Sequence, residues 1–434
     1  MKQRINLFWF RCDLRIVDNH GLYQALAAGN PVLPIFIYDK NILNDLEDDD
    51  SRVQFISEQV NRLKEEFERN NSTLWIYHGK PLEAFKRLWV EYDVEAVFTN
   101  VDYEPYATER DGRVATFLKS QNIHFYPFKD KLIFHQNDIV KADGKPYTVF
   151  TPYKNKWLAK FSEVDLDEYP SKKILNRLLK TAPLNDISLR DIGFRKGTTE
   201  FPVKKIDKTV LKNYEAIRDF PAMDGTSHLG IHLRFGTISI RKLTKKALKH
   251  SSVFLNELIW RNFYADVLWH FPHVEKRSFK PAYDYIPWGN SEKDFARWCE
   301  GQTGYPLVDA GMRQLNETGY MHNRIRMVTA SFLCKHLLID WRWGEAYFAE
   351  KLLDYDLASN NGGWQWAAGT GCDAAPYFRV FNPTLQAQKF DPDLKYIRQW
   401  VPELDELTYP QPMVEHKPAR QRAIETYKKA LAGR

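Results

Sequence analysis

Four short apolar runs near the start of the chain read as buried strands: INLFWF (Ile5–Phe10), VLPIFIY (Val32–Tyr38), TLWIYH (Thr73–His78) and AVFTN (Ala96–Asn100). Between them, Ser51–Asn70 and Pro81–Glu91 carry helical patterns. Strands that alternate with helices in this way pair in parallel and are covered on both faces. Residues 1–130 are therefore expected to form an α/β domain with a doubly wound, Rossmann-like parallel sheet. Neither G-x-G-x-x-G nor G-x-x-x-x-G-K-[ST] follows any of these strands, so the domain is not an obvious dinucleotide or triphosphate site. From about Leu158 to Val210 the charges are mixed, prolines recur and periodicity fades, and 131–210 is read as an interdomain connection. From Leu211 onward helical patterns follow one another, as in SSVFLNELIWRNFYADVLWHF and HNRIRMVTASFLCKHLLIDW, which predicts an all-helical domain over 211–434.

Composition sharpens this only in places. At 434 residues the chain exceeds one comfortable domain. With 27% charged and 44% hydrophobic residues, no apolar run of membrane-spanning length and no signal-peptide pattern at the N-terminus, a cytoplasmic protein is expected. Four scattered cysteines (Cys12, Cys299, Cys334, Cys372) show no C-x-x-C spacing, so neither disulfides nor a metal site is expected. A net charge of +6 is compatible with a polyanionic partner but does not identify one. The aromatic content is more telling: nine of the 13 tryptophans lie between Trp260 and Trp400.

Several clusters in that half carry chemistry. Glu257, Trp260, Arg261 and Tyr264 in NELIWRNFY fall at i, i+3, i+4 and i+7, one stripe of a helix. Such a stripe is either a solvated or domain-facing polar face, or a surface that stacks a flat ligand and grips an anion. In MHNRIRM, Asn323 and Met327 share a side, suited to an aromatic pocket, while Arg324 and Arg326 read as surface charges or as partners of Asp354 and Asp356. Thr226, Ser227 and Gly230 cluster at a predicted helix start, where hydroxyls and free N–H groups hold phosphates, although every helix also needs a cap. The stretch DLASNNGGWQWAAG sets Trp364 and Trp366 about 200° apart around a helix, behind two glycines that admit close approach of something flat.

Together, WFRCDLRIVDN, YTVFTPYKNKW, TSHLGIHLRFGTIS, NELIWRNFY, TGYPLVDAGMRQLNETGYMHNRIRMVTASFL and NNGGWQWAAGTGCDAAPYFRVFNP resemble the photolyase/cryptochrome family, and within it class I cyclobutane pyrimidine dimer photolyases. The resemblance runs through nearly the whole chain. It implies a light-dependent DNA repair enzyme, a carbon–carbon lyase whose helical domain binds FAD, active in its reduced form. Its partner is UV-damaged DNA, bound by a monomer that joins the nucleoid when on DNA. An antenna chromophore of folate or deazaflavin type belongs beside the first domain. Folate users carry an Asn-Glu pair where YEPYATERD has Tyr106 and Ala107, and deazaflavin users share the Glu-Pro-Tyr.

The resemblance also distributes roles. Tyr214, Thr226, Ser227, His228, Leu229 and Gly230 would hold the FAD diphosphate and ribityl chain, with Gly230 standing where many relatives have serine. Arg326 and Asp354 would flank the isoalloxazine, Tyr355 and Asp356 would lie along it, and Asn360 would face N5. A neutral amide there tolerates anionic reduced flavin. Glu257, Trp260, Asn323, Met327 and Trp366 would line the cavity for a flipped-out dimer. Arg218, Arg261, Arg324, Arg379 and Gln386 would face DNA. Trp364, Trp341 and Trp288 match an electron relay, whereas Trp269 and Trp298 are read as core. The alternatives are a cryptochrome-type blue-light photoreceptor, a (6-4) photoproduct photolyase, in which a histidine pair replaces Asn323 and Met327, and a plain FAD electron carrier.

Overall fold

A computed structural model describes residues 2–161, 166–184 and 186–432; residues 162–165 and 185, inside the predicted connection, lie outside it. Five strands form one parallel sheet in the order β3-β2-β1-β4-β5: β1 (Arg4–Phe10), β2 (Val32–Asp39), β3 (Trp75–Gly79), β4 (Asp93–Asn100) and β5 (His124–Phe128). Every residue of β2 and all but the first of β1 are buried, as strands covered on both faces must be. Helices α1 (His20–Ala27), α2 (Ser51–Glu68), α3 (Pro81–Glu91) and α4 (Pro105–Ser120) return the chain between strands. The α/β alternation and doubly wound sheet expected from the sequence are present. β5 is the element the apolar pattern misses. It lies at the sheet edge, is half exposed and contains Pro127, so it lacks the run that marks a central strand.

Two compact units interleave along the chain. The first comprises Met1–Asp138, Phe161–Lys205 and Leu229–Lys249; the second comprises Ile139–Lys160, Ile206–His228 and His250–Arg434. Within the first unit, charge ties the segment Leu229–Lys249 to the sheet region. Arg241 lies 2.9 Å from Asp18 and 2.8 Å from Asp130, Arg15 lies 2.6 Å from Asp130, and all four side chains are buried. Ser239 donates to Asp18, and Arg234 pairs with Glu104. Burial alone would raise the Asp130 carboxyl; Arg15 and Arg241 outweigh it and hold that carboxyl below the ordinary range.

The second unit is helical. It contains α5 (Phe150–Phe161, shared at its last residue), α6 (Lys208–Ile217), α7 (Ser252–His270), α8 (Asn323–Ser331), α9 (Trp341–Lys351), α10 (Leu357–Ala368), α11 (Pro383–Phe390) and α12 (His416–Ala432). Ser251 caps α7, which buries Phe254, Leu255, Leu258, Ile259 and Phe263. Its two buried polar residues are satisfied by α5: Tyr153 donates to Asp266 at 2.6 Å and Trp157 to Asn262 at 3.4 Å. The core of this unit packs Trp298, Trp341 and Trp364 among Leu333 and Phe348. Among the described residues no helix is long and apolar enough to cross a membrane.

Candidate active site

The stripe predicted on α7 is its least buried face. Glu257, Trp260, Arg261 and Tyr264 are all half-buried, while the residues between them fill the core. Phe150 of α5 lies flat on Trp260, with ring centres 3.6 Å apart and planes within 5°, so one face of the indole is covered by protein. Glu257 is not free: Arg218, just past the end of α6, donates to its carboxylate. Burial works against the Arg218 charge, but Glu257 outweighs it and the guanidinium is held more firmly protonated than usual. The next residue, Asp219, lies 2.8 Å from the Arg324 guanidinium. Arg324 also lies over Phe390 at 4.3 Å and points Nη1 toward the Met327 sulfur at 3.9 Å. Asn323 on the same helix is exposed. A groove is lined by Arg324, Arg379, Phe381, Gln386, Lys389 and Phe390, which brings three of the predicted DNA-facing residues together.

The predicted cofactor residues of the second unit form a second polar group. On α8, the Arg326 Nη2 donates to both oxygens of Asp354, at 3.1 and 3.0 Å, while its Nε donates to the Met321 carbonyl. Asp356 caps α10, accepting from the backbone N–H and hydroxyl of Ser359 at 3.1 and 3.0 Å. Thr226 bonds through its hydroxyl to Tyr320 at 3.0 Å, and His228, in the left-handed backbone region, bonds to Asp224 at 2.9 Å. Ser227 is half-buried, and Tyr355 packs against the tryptophan core. Tyr214 is buried under the Arg218 guanidinium, and burial pushes its phenol up. Leu229 and Gly230 fall in the first unit, where Gly230 opens the short helix Gly230–Arg234. No side chain caps that helix, so the hydroxyls upstream do not serve as its cap.

Asn360 has a partner that the sequence pattern does not reveal. Its amide nitrogen donates to the Glu345 carboxyl at 2.8 Å and to the Glu345 carbonyl at 3.1 Å. That commitment leaves the amide oxygen to serve a ligand. Burial raises the Glu345 carboxyl to about 7, against a smaller opposing effect of the Asn360 bond. Phe150, Asp219, Tyr320 and Glu345 are all absent from the predicted site. Phe150 lies inside a family-like motif, but only packing reveals its stack; Glu345 sits in WRWGEAY without any spacing that marks it.

The two tryptophans of α10 diverge as expected. Trp364 is buried against Phe348 and Trp298, at 4.9 and 6.1 Å, and Trp341 is buried in the same core. Trp288 sits at the margin of that core, edge-on to Tyr427 at 5.8 Å. The indole nitrogens of Trp341 and Trp364 are buried without an acceptor among the described residues. Trp366 instead borders a small pocket with Tyr264, Asn361 and Cys372, and its ring lies 6.4 Å from Phe381. The two glycines part company as well. A Cβ on Gly362 would run into the Tyr264 ring, so this glycine admits a protein side chain; only Gly363 faces open space.

Residues 6–172 match the family described as DNA photolyase, and 254–408 match the FAD binding domain of DNA photolyase. The deoxyribodipyrimidine photo-lyase of Escherichia coli is 38% identical, with 99% of each chain covered. Among solved structures, a bacterial class III photolyase from Agrobacterium tumefaciens is similar at a TM-score of 0.86 and 32% identity, covering 99% of this chain and 98% of that one. An archaeal photolyase from Sulfolobus tokodaii, solved with two FAD molecules, is similar at a TM-score of 0.82 and 33% identity, covering 98% and 99%.

Proposed function

The chain belongs to the DNA photolyase family, and from that premise we propose which of its residues hold the cofactor, receive the damaged bases and carry electrons. It is a deoxyribodipyrimidine photolyase, a light-dependent enzyme that repairs pyrimidine dimers in DNA with FAD as cofactor. When bound in its reduced form, FAD absorbs blue or near-UV light and supplies the electron that splits the dimer, which the monomers then return.

The polar groups of the second unit suit such a molecule. Thr226 and Ser227 offer hydroxyls for a phosphate or ribityl chain, and Arg326 offers a cation already oriented by Asp354. Asn360 presents a neutral oxygen, fixed in direction because Glu345 holds the other end of the amide. Gly363 leaves the backbone bare on the same helix. Tyr214, His228, Tyr355 and Asp356 complete the proposed cradle.

For the substrate, the face of Trp260 away from Phe150 is assigned to stacking on the dimer, since Phe150 covers and stiffens the other face. Glu257 is assigned to the edge of the damaged bases, an exchange in which it gives up part of its bond to Arg218. Asn323, Met327 and Trp366 are assigned to the same cavity. The dimer must leave the duplex to reach it, and photolyases are a recognised example of enzymes that extrude their target bases. Poor stacking of a dimer lowers that cost and supports selectivity. Arg218, Arg261, Arg324, Arg379 and Gln386 are assigned to the phosphates on either side.

Trp364, Trp341 and Trp288 are assigned to electron supply. The buried nitrogens of Trp364 and Trp341 favour this role, because an indole that has lost an electron there meets no acceptor for its proton among the described residues. We assign the antenna to the folate or deazaflavin class, to which the Sulfolobus protein adds FAD as a third candidate. Extracting the bound pigment and reading its absorption spectrum decides among them.

The observation that carries this reading is one helix, α10, holding a clamped amide at Asn360, a buried indole at Trp364 and a pocket-side indole at Trp366. Purified protein with reduced FAD under blue light should convert thymine dimers in an oligonucleotide to monomers. Binding of damaged DNA without recovery of thymines would hand the case to the photoreceptor alternative.

A further inference from the structure

Two carboxylates, Asp219 and Glu215, line the groove that also holds Arg324 and Arg379, and of these Asp219 is ion-paired to Arg324. Arg324, Asp219, Arg218 and Glu257 form a chain of alternating charge: Asp219 lies 2.8 Å from Arg324 and 4.0 Å from Arg218, which in turn pairs with Glu257. An acid beside a phosphate-binding arginine weakens DNA binding unless it does something else. We propose that Asp219 is a specificity-determining residue, which holds Arg324 recessed so that intact duplex cannot reach it. This rests on the reading of the groove as DNA-facing.

The geometry supports recession. The Arg324 side chain is only 18% exposed, its guanidinium carbon lies 4.3 Å from the centre of the Phe390 ring, and its Nε is buried without an acceptor among the described residues. Arg379 and Lys389 on the same groove are exposed. A regular duplex backbone passing over the groove meets Arg379 and Lys389 but not a guanidinium drawn in against Asp219. A strand bulged by an extruded dimer brings a phosphate inward, where Arg324 has donors to spare while one stays on Asp219, since a guanidinium carries five N–H groups. Arg324 thereby contributes to the damaged complex and stays silent toward intact DNA. Without Asp219 the side chain is free to swing outward, and a phosphate contact available to any sequence appears.

The test measures dissociation constants by fluorescence anisotropy in the dark, on FAD-loaded protein. The probes are one duplex with and without a single thymine dimer, across a salt series. Asp219→Asn should tighten binding of the intact duplex by roughly two- to fivefold, about what a single partly exposed charge contact contributes. Its salt dependence should steepen by about 0.9 in log K against log salt, one phosphate contact. Affinity for the dimer-containing duplex should change by less, so discrimination falls, and Asp219→Glu should restore it. In the double variant Asp219→Asn/Arg324→Ala the tightening should vanish. Equal tightening on both duplexes, no tightening on the intact one, or tightening that survives loss of Arg324 each overturns the proposal. Arg324→Ala alone separates the underlying assignment: if it leaves both affinities unchanged, the DNA-facing reading itself fails.

Discussion

Trp364 and Trp366 are chemically identical residues two positions apart, so their difference in role must come from surroundings. Trp364→Phe keeps the aromatic shape in the core but is far harder to oxidise. It should slow or abolish light-driven reduction of bound FAD by an external donor, while repair after dithionite reduction stays near normal. Trp366→Phe should give the reverse, with normal photoreduction and weaker dimer binding or splitting. Loss of the same activity in both variants would sink the division of labour. Glu345 gives a prediction in pH. Its carboxyl is raised by burial from about 4.5 to about 7, so between those values the unfolded chain has released a proton that the folded one keeps. Its contribution to stability is therefore full below about 4.5 and is lost as pH rises through about 7. Denaturant melts of Glu345→Gln should fall less over that interval than those of the native protein; identical slopes would show that the carboxyl titrates normally. At this scale helical spacing allowed Glu257 and Trp260 to be picked out, and the family resemblance singled out Arg326. Glu345, Phe150 and Asp219 escaped because each meets its partner on a different element, a relation no local pattern encodes.

Helix α10 concentrates the chemistry of the second unit, and its glycines serve different neighbours. Gly362→Ala would force a methyl against the Tyr264 ring, whose other contacts are with Trp260 and Phe263, and overpacking of this kind costs about 1–3 kcal/mol. Gly363→Ala meets no protein atom and should stabilise the FAD-free helix by up to about 1 kcal/mol. If the bare backbone there borders the flavin, the same change should weaken FAD retention, measured by ultrafiltration. Stabilisation with unaltered retention would remove Gly363 from the cofactor site. The strands β1 and β2 and the helices α2, α3 and α7 were legible from periodicity, since burial on two faces or on one stripe leaves an apolar signature. Edge strand β5 was not, because one wet face and a proline erase that signature. Strand β4 begins at Asp93, earlier than its apolar core suggests, since pairing with Arg4 and Ile5 extends it through polar residues.

At the scale of the molecule, the interleaving of the two units governs what can be separated. Asp18 and Asp130 are synthesised with the sheet, but Arg241 comes from a segment beyond α6. A fragment ending before Leu229 leaves both carboxylates buried with Arg15 as the one remaining cation of the set. Breaking a buried charge network costs about 3–5 kcal/mol. Fragment 1–210 should therefore be unstable or soluble only with a partly melted sheet, by circular dichroism and proteolysis, and Arg241→Ala in the full chain should lose a similar amount. A fragment as stable as the same region in the full chain would show that the network contributes little. Composition and periodicity could not announce this arrangement. The segment Leu229–Lys249 is ordinary helical sequence, and what assigns it to the sheet is complementary charge 111 and 223 residues away.

That buried charge network also has a consequence for synthesis on the ribosome. Arg241 follows Asp130 by 111 residues, which at ~5–20 residues per second is a delay of roughly 5–20 s. Through that interval the nascent sheet holds two carboxylates it cannot bury at low cost, and water keeps them outside. The sheet unit should accordingly close late, as a joint event with arrival of the segment that carries Arg241, and not as an early, independently finished domain. Nascent chains stalled at successive lengths should gain protease resistance over residues 2–130 only once Arg241 has left the exit tunnel; resistance acquired well before that point would show that the sheet closes without its counter-charge.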